Sequence, residues 1–338
     1  MKTLSKLAVL AVAGTAALAF AGNALAVQKL SVSQTSTALT IKVSQTATDQ
    51  QPAKITIYVP TGYSINTSAA PGTKIGTTSG NVVARDVGSI TLPLVGDVVV
   101  VPPTTNAPGC DPVPHIAVWN LALSVAGQNI NLPVHVDQTA GPEAALGPYK
   151  LVVCLGAADT PPSAPNHSPN GAQLLDATFT TNNIFTVPAG TSVWKAITTP
   201  YAPGTGLPNA AGTVETRSIV APGTVTIAKK VTNKKQRVLR ISGNVSQGGA
   251  AVAGAQVSLL LNGSTSIFKA RTSASGNYSI TLRKKGKKST TTFQARVTVS
   301  ERDVTTTACA SPSLPGVACV SATAGGFTAV SPRLKVKL

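Results

Sequence analysis

The chain has 338 residues and carries 28 Lys and Arg against 11 Asp and Glu, a formal net charge of +17. Valine, threonine and alanine dominate, and 29 glycines and 24 prolines punctuate the chain. This argues against long helices and for short strands joined by tight turns. Aromatic residues make up 4% of the chain, so its cores must be aliphatic.

In chain order, MKTLSK, the apolar run LAVLAVAGTAALAFAG and Ala24-Leu25-Ala26 read as a secretory signal peptide over residues 1–26. The apolar run is short for a membrane span of about 20 residues. The mature chain is expected to start at Val27, to lack a transmembrane segment and to be secreted or extracellular. VQKLSVSQTSTALTIKVSQ reads as two paired strands, with Leu39, Ile41 and Val43 alternating with polar residues. KITIYVPTGY repeats the alternation until Pro60 and Gly62 end it. SITLPLVGDVVVV reads as two strands with a turn at Gly96-Asp97. HIAVWNLALSV and INLPVHVD are joined by AGQN, a turn whose glycine can take positive φ. YKLVVCL, LLDATFTT, SVWKAITT and ETRSIV complete the front strands, and the loops 158–171 and 200–212 are expected at the surface.

Charge divides the chain. Residues 27–226 carry eight bases and nine acids, a net charge of −1, whereas residues 227–338 carry eighteen bases and only Glu301 and Asp303, a net charge of +16. We read three parts: the signal peptide 1–26, a near-neutral β-sandwich domain 27–226 and a basic β-sandwich domain 227–338. The fold class is all-β, two Ig-like or prealbumin-like sandwiches. Cys110, Cys154, Cys309 and Cys319 fall into two pairs that do not cross that boundary. An exported chain meets an oxidising space, so two disulfides are expected.

In the basic half, ISGNVSQGGAAVAGAQVSLLLNG places Gly243, Val245, Gly248, Gly249, Val252, Gly254, Ala255, Val257 and Leu259 in the pattern of a Gly-x-Val strand, a glycine turn and Val-x-Gly-Ala-x-Val-x-Leu. Thr272, Gly276 and Tyr278 follow as Thr-x-x-x-Gly-x-Tyr. Residues 238–300 thereby resemble the carboxypeptidase regulatory-like, transthyretin-like β-sandwich family, although Ala251 stands where that family usually has proline. The resemblance implies a seven-stranded sandwich without catalytic residues, of a kind that serves as spacer or adhesion unit.

The densest charge is TLRKKGKKSTT, where Arg283, Lys284, Lys285, Lys287 and Lys288 surround Gly286. Between NYSITL and TTFQARVTV it reads as a hairpin tip. Turn geometry and protection of strand edges explain one or two of these lysines. The rest point to polyanion binding, with an anionic cell-envelope polymer or surface as partner and retention at the cell surface as the consequence. ACASPSLPGVACVSA reads as a disulfide-closed loop and FTAVSPRLKVKL as a last strand.

Chemistry is sparse. His135 and Asp137 lie two apart on an expected strand and, with His115, form the residue set from which an acid–base or metal cluster would be built; His-x-Asp alone is unspecific. The phosphate loop, nucleophile elbow and HExxH motifs are missing from the chain. No enzyme activity, catalytic residue, metal or cofactor is therefore expected. An extracellular hydrolase using His115, His135 and Asp137, or a carbohydrate-binding module using loop 200–212, is the alternative, and a glycan or protein ligand is left open. Of the rings a sugar could stack on, Trp119, Trp194, Tyr63 and Tyr201, the tryptophans are expected in the core. Phe268, Tyr278 and Phe293 fit strand-core places at least as well as base stacking, so no specific nucleic acid is expected. An internal Lys–Asn crosslink in the basic half could use only Glu301 or Asp303 as its acid.

Overall fold

Alternating Val, Ile and Thr with polar neighbours gives strands with one dry face, and such strands must pair and stack. The computed structural model describes residues 28–337 apart from 108, 109, 111, 113, 126, 234–237, 284–289 and 312. It is 59% strand and 6% helix, an all-β, sandwich-type fold of several sheets.

The front of the chain supplies β1 (Lys29–Gln34), β2 (Ala38–Ser44), β3 (Pro52–Val59), β4 (Ser64–Ile65), β5 (Lys74–Ala84), β6 (Ile90–Val101), β7 (Ala117–Val125), β8 (Gln128–Gln138), β9 (Tyr149–Cys154), β10 (Ala172–Asn182), β11 (Phe185–Thr186), β12 (Ser192–Pro200) and β13 (Val214–Val220). Eleven of these form one sheet in the order β1-β2-β10-β5-β6-β7-β8-β9-β3-β12-β13, while β4 and β11 pair separately. The sheet rolls until its ends meet. Side-chain hydroxyls, in place of a backbone ladder, join β1 to the far end: Ser218 Oγ accepts from the Val32 amide at 2.8 Å, and Thr323 Oγ1 donates to the Leu30 carbonyl at 2.7 Å.

Inside the roll, Trp119 and Trp194 are buried with Leu30, Ile41, Ile57 and Leu151. Tyr63 and Phe185 meet Trp194 edge-on at 5.0 and 6.0 Å, and Phe185 meets Trp119 at 5.9 Å. Both tryptophans thus sit in one aromatic cluster with Tyr63 and Phe185.

Two expectations for the front change. SITLPLVGDVVVV is one strand, β6, in which Gly96 lies opposite Leu123 in the middle of a ladder. A Cβ at Gly96 would sit 2.0 Å from the Ala122 carbonyl oxygen, so the glycine serves a close backbone approach rather than a turn. The segment Lys74–Ala84, not among the strands read from the sequence, is the inner strand β5, paired with β10 and β6. The turn between β7 and β8 is as expected, with Gly127 at φ 81°.

The rear of the chain supplies β14 (Gly223–Val225), β15 (Ala228–Asn233), β16 (Val238–Gln247), β17 (Ala250–Ala251), β18 (Gln256–Leu261), β19 (Ser264–Arg271), β20 (Asn277–Arg283) and β21 (Thr290–Val299). Strands β14, β15, β17 and β20 all pair with β16. Strand β18 lies between β19 and β21 in a second sheet. The two sheets enclose Leu239, Ile241, Val257, Leu259, Ile280, Phe293 and Val297.

After β21 the chain leaves this sandwich through β22 (Arg302–Asp303), the short helix α1 (Thr305–Ala308) and β23 (Ala318–Ala324), and returns in β24 (Phe327–Val330) and β25 (Leu334–Lys337), both paired with β21. Strand β23 runs parallel to β13, from Val214↔Ala318 to Ile219↔Ala324. Residues 302–324, placed by charge with the basic half, thus extend the front sheet to thirteen strands. The segment read as a loop closed by Cys309 and Cys319 ends in a strand, and the expected single last strand is two.

Disulfides join Cys110 to Cys154 and Cys309 to Cys319. Arg217, 3% exposed on β13, holds the excursion down: its Nε pairs with Glu215 Oε1, and its Nη1 and Nη2 donate to the Ala308 carbonyl at 2.8 Å and Ser313 Oγ at 3.2 Å. Among the described residues, no helix is long and apolar enough to cross a membrane.

Candidate functional site

The basic surface follows from strand alternation in the rear sandwich. On β16, Leu239 and Ile241 point into the core, so Arg240 between them points out. Its cross-strand neighbours are Lys230 on β15 and Thr281 on β20. In the adjoining row Asn233, Val238 and Arg283 lie side by side. The outer face of this sheet therefore presents Lys230, Arg240 and Arg283, all exposed. Lys230 and Arg240 are like charges directly opposite each other, which is unfavourable in an antiparallel pair. Arg240 Nε donates to Ser279 Oγ at 2.6 Å, a neutral partner.

The opposite sheet repeats the pattern. Lys269, Ser258 and Arg296 form one row across β19, β18 and β21. Arg271 lies opposite Gln256, and Lys335 and Lys337 lie opposite Thr292 and Thr290. These five bases are exposed as well. Positive charge thus covers both outer faces of the sandwich. The ion pairs among the described residues fall instead in the front unit, as in Lys74–Asp97 at 2.7 Å and Lys150–Glu143 at 3.0 Å.

Of the five bases singled out in TLRKKGKKSTT, Arg283 ends β20 and is exposed, while Lys284, Lys285, Lys287 and Lys288 lie outside the described residues. The flanking strands correct the hairpin expectation: β20 pairs with β16 and β21 with β18, in opposite sheets. They are consecutive in sequence without being partners. The basic hairpin is the neighbouring one, in which β15 and β16 pair up to Asn233 and Val238 and enclose Lys234, Lys235 and Arg237 in sequence. Local reading missed it because Lys229 and Lys230 break the apolar alternation of β15.

His115, His135 and Asp137 do come together. His115 Nδ1 lies 2.9 Å from Asp137 Oδ1, and the two imidazoles stack with centroids 4.2 Å apart. His115 is 5% and His135 0% exposed. The trio is a buried clasp between the segment preceding β7 and the outer face of β8, without an open face for substrate. Among the described residues, no group of three or more His, Cys, Asp and Glu is arranged to hold a metal ion.

A second polar chain was not visible in sequence. His167 bridges Asp86 Oδ2 at 2.8 Å and Thr160 Oγ1 at 3.2 Å, fastening loop 158–171 to the turn between β5 and β6. Loop 200–212 is fastened to the same loop by the Gly204 amide on Asp159 Oδ2 at 2.7 Å and by Asn166 on the Gly206 carbonyl. Trp119, Trp194, Tyr63 and Tyr201 are all at least nine-tenths buried, which leaves none of them as a stacking platform for a sugar. Asp303 accepts hydrogen bonds from Thr305 Oγ1 and the Thr305 amide at the entry to α1.

No protein-family model matches the chain, and no curated protein matches it.

Proposed function

We propose that this chain is an exported, non-enzymatic structural or adhesion protein whose basic rear sandwich binds a linear anionic envelope polymer and so retains the front unit at the cell surface. The observation that carries the reading is exposed positive charge, without an ion pair among the described residues, on both outer faces: Lys230, Arg240 and Arg283 on one, and Lys269, Arg271, Arg296, Lys335 and Lys337 on the other. A flat anionic membrane engages one face at a time, whereas a flexible polymer can follow charge around the sandwich. Export is supported by the signal-type N-terminus and by the two disulfides. The likeness of residues 238–300 to transthyretin-like modules fits a spacer that carries no chemistry of its own.

The test is binding of the full-length protein to immobilised polyphosphate over a salt series. Affinity should fall steeply as salt rises, because binding releases the polymer's condensed counterions. The double variants Lys230→Glu/Arg240→Glu and Lys269→Glu/Arg296→Glu should each lower the slope of log K against log salt by roughly one to two. An unbound protein in dilute buffer overturns the reading. Sensitivity to only one face, with anionic vesicles bound as well as polyphosphate, replaces the polymer by a membrane surface.

A further inference from the structure

We propose that the rolled front sheet is also a binding site for an uncharged, apolar ligand of the hydrocarbon-chain class. The aromatic cluster of Trp119, Trp194, Tyr63 and Phe185 fills one part of the roll. Along β7 the inward residues then run Leu121 and Leu123, opposite Leu132 and Ile130 of β8. Eleven strands enclose more width than small aliphatic residues fill. The result is a cavity of about 670 Å³ lined by Leu94, Leu121, Leu123, Ile130, Leu132 and Leu174, within the size range of small-molecule sites.

The wall has an opening. Strand β8 pairs with β7 out to Gln128, but with β9 only from Val134 onward. Among the described residues, the 128–133 edge has no strand on that side. Ile130 and Leu132, both half-buried, line this gap, and residues 165–169 form the other lip.

Three features select the occupant. Among the described residues, no Asp, Glu, Lys or Arg lines the cavity, so a buried charge would meet no partner among them. Two polar groups at the lip are already engaged: Gln51 Oε1 accepts from the Leu174 amide at 3.0 Å, and His167 holds Asp86 and Thr160. Pro133 stands on the free edge of β8, where it opposes addition of a peptide strand.

The test uses the full-length protein and N-phenyl-1-naphthylamine, an uncharged fluorophore, in about 0.5 M salt so that the basic rear is screened. Saturable fluorescence enhancement, displaced by 1-dodecanol, is expected. Ile130→Trp and Leu132→Trp, which place a ring in the opening, should each weaken binding by roughly tenfold or more, while Val193→Trp, on the outer face of β12, leaves it unchanged. The half-buried site of Ile130 lets that variant carry the test if Leu132→Trp fails to fold. Absence of saturable binding to the wild type, or wild-type affinity in a folded Ile130→Trp, overturns the proposal.

Discussion

The front and rear units treat charge in opposite ways. In the front, Arg217 and Glu215 are buried together, Lys150 meets Glu143, and Asp86 and Asp137 are tied to histidines. In the rear, residues 227–299 contain no acid at all, and the two that follow lie where the chain leaves the sandwich. Asp303 belongs to β22, in the front sheet, and the hydrogen bonds from the Thr305 hydroxyl and amide hold its carboxyl below the usual carboxylate range. Both disulfides also end on front strands, Cys154 on β9 and Cys319 on β23. The front pairs its charges internally around the larger core, whereas the rear encloses a smaller core and leaves its charges to solvent or a partner.

The sharpest break in that contrast is Arg217→Ala. It strips the buried Glu215 of its partner and releases the 305–313 segment, so a loss of about 3–5 kcal/mol in urea unfolding is expected. Replacing both members by Met should recover most of it, because the cost lies in the uncompensated charge. A loss below about 1 kcal/mol in the single variant would mean that the excursion does not depend on this rivet.

Reduction comes next. Opening Cys110–Cys154, which spans 44 residues, should destabilise the front by about 2–4 kcal/mol. Both tryptophans lie in the front core, so their fluorescence reports that unit alone. A fall in the tryptophan transition, with a smaller shift in the strand signal of the rear, is the expected pattern. Equal shifts would merge the two units into one cooperative body.

Local chemistry made much of this readable. Alternation marks β2, β7 and β12 well because each has one dry face, and the grouping of the cysteines on either side of the charge boundary matches their pairing. Non-local pairing was not readable. Nothing in ACVSATA says that it lies parallel to ETRSIV about a hundred residues earlier, and Gly96 looks like a turn until the neighbouring strand's carbonyl is seen beside it. The five-base segment was easy to find but its setting was not, since consecutive strands can belong to opposite sheets. The basic surface likewise becomes a two-faced object only when register places Lys230 beside Arg240 and Lys269 in line with Arg296.

A smaller effect probes the rear core. The Tyr278 hydroxyl donates to the Thr226 carbonyl at 2.7 Å, and burial pushes its pKa well up from the ordinary tyrosine value. A raised folded pKa leaves stability intact below about pH 10 and erodes it as pH climbs toward the folded value, because the unfolded chain ionises first. Tyr278→Phe should cost about 1 kcal/mol at neutral pH and flatten that alkaline loss. An unchanged alkaline slope would assign it to Tyr63 or Tyr201 of the front, whose pKa values burial also raises.

The smallest expected change bears most directly on function. Lys230→Glu turns the like-charged Lys230–Arg240 pair into an opposite-charged one on an exposed face. Cross-strand pairs of this kind are worth about 0.2–1 kcal/mol, so the variant should be slightly more stable than the wild type in urea. Its affinity for polyphosphate should nonetheless fall, with a shallower salt dependence. Stability and binding moving in opposite directions would mean that the wild-type arrangement serves a partner at the expense of the fold. If the variant were less stable, or bound polyphosphate as before, Lys230 would be an ordinary solvated edge lysine that only discourages strand pairing.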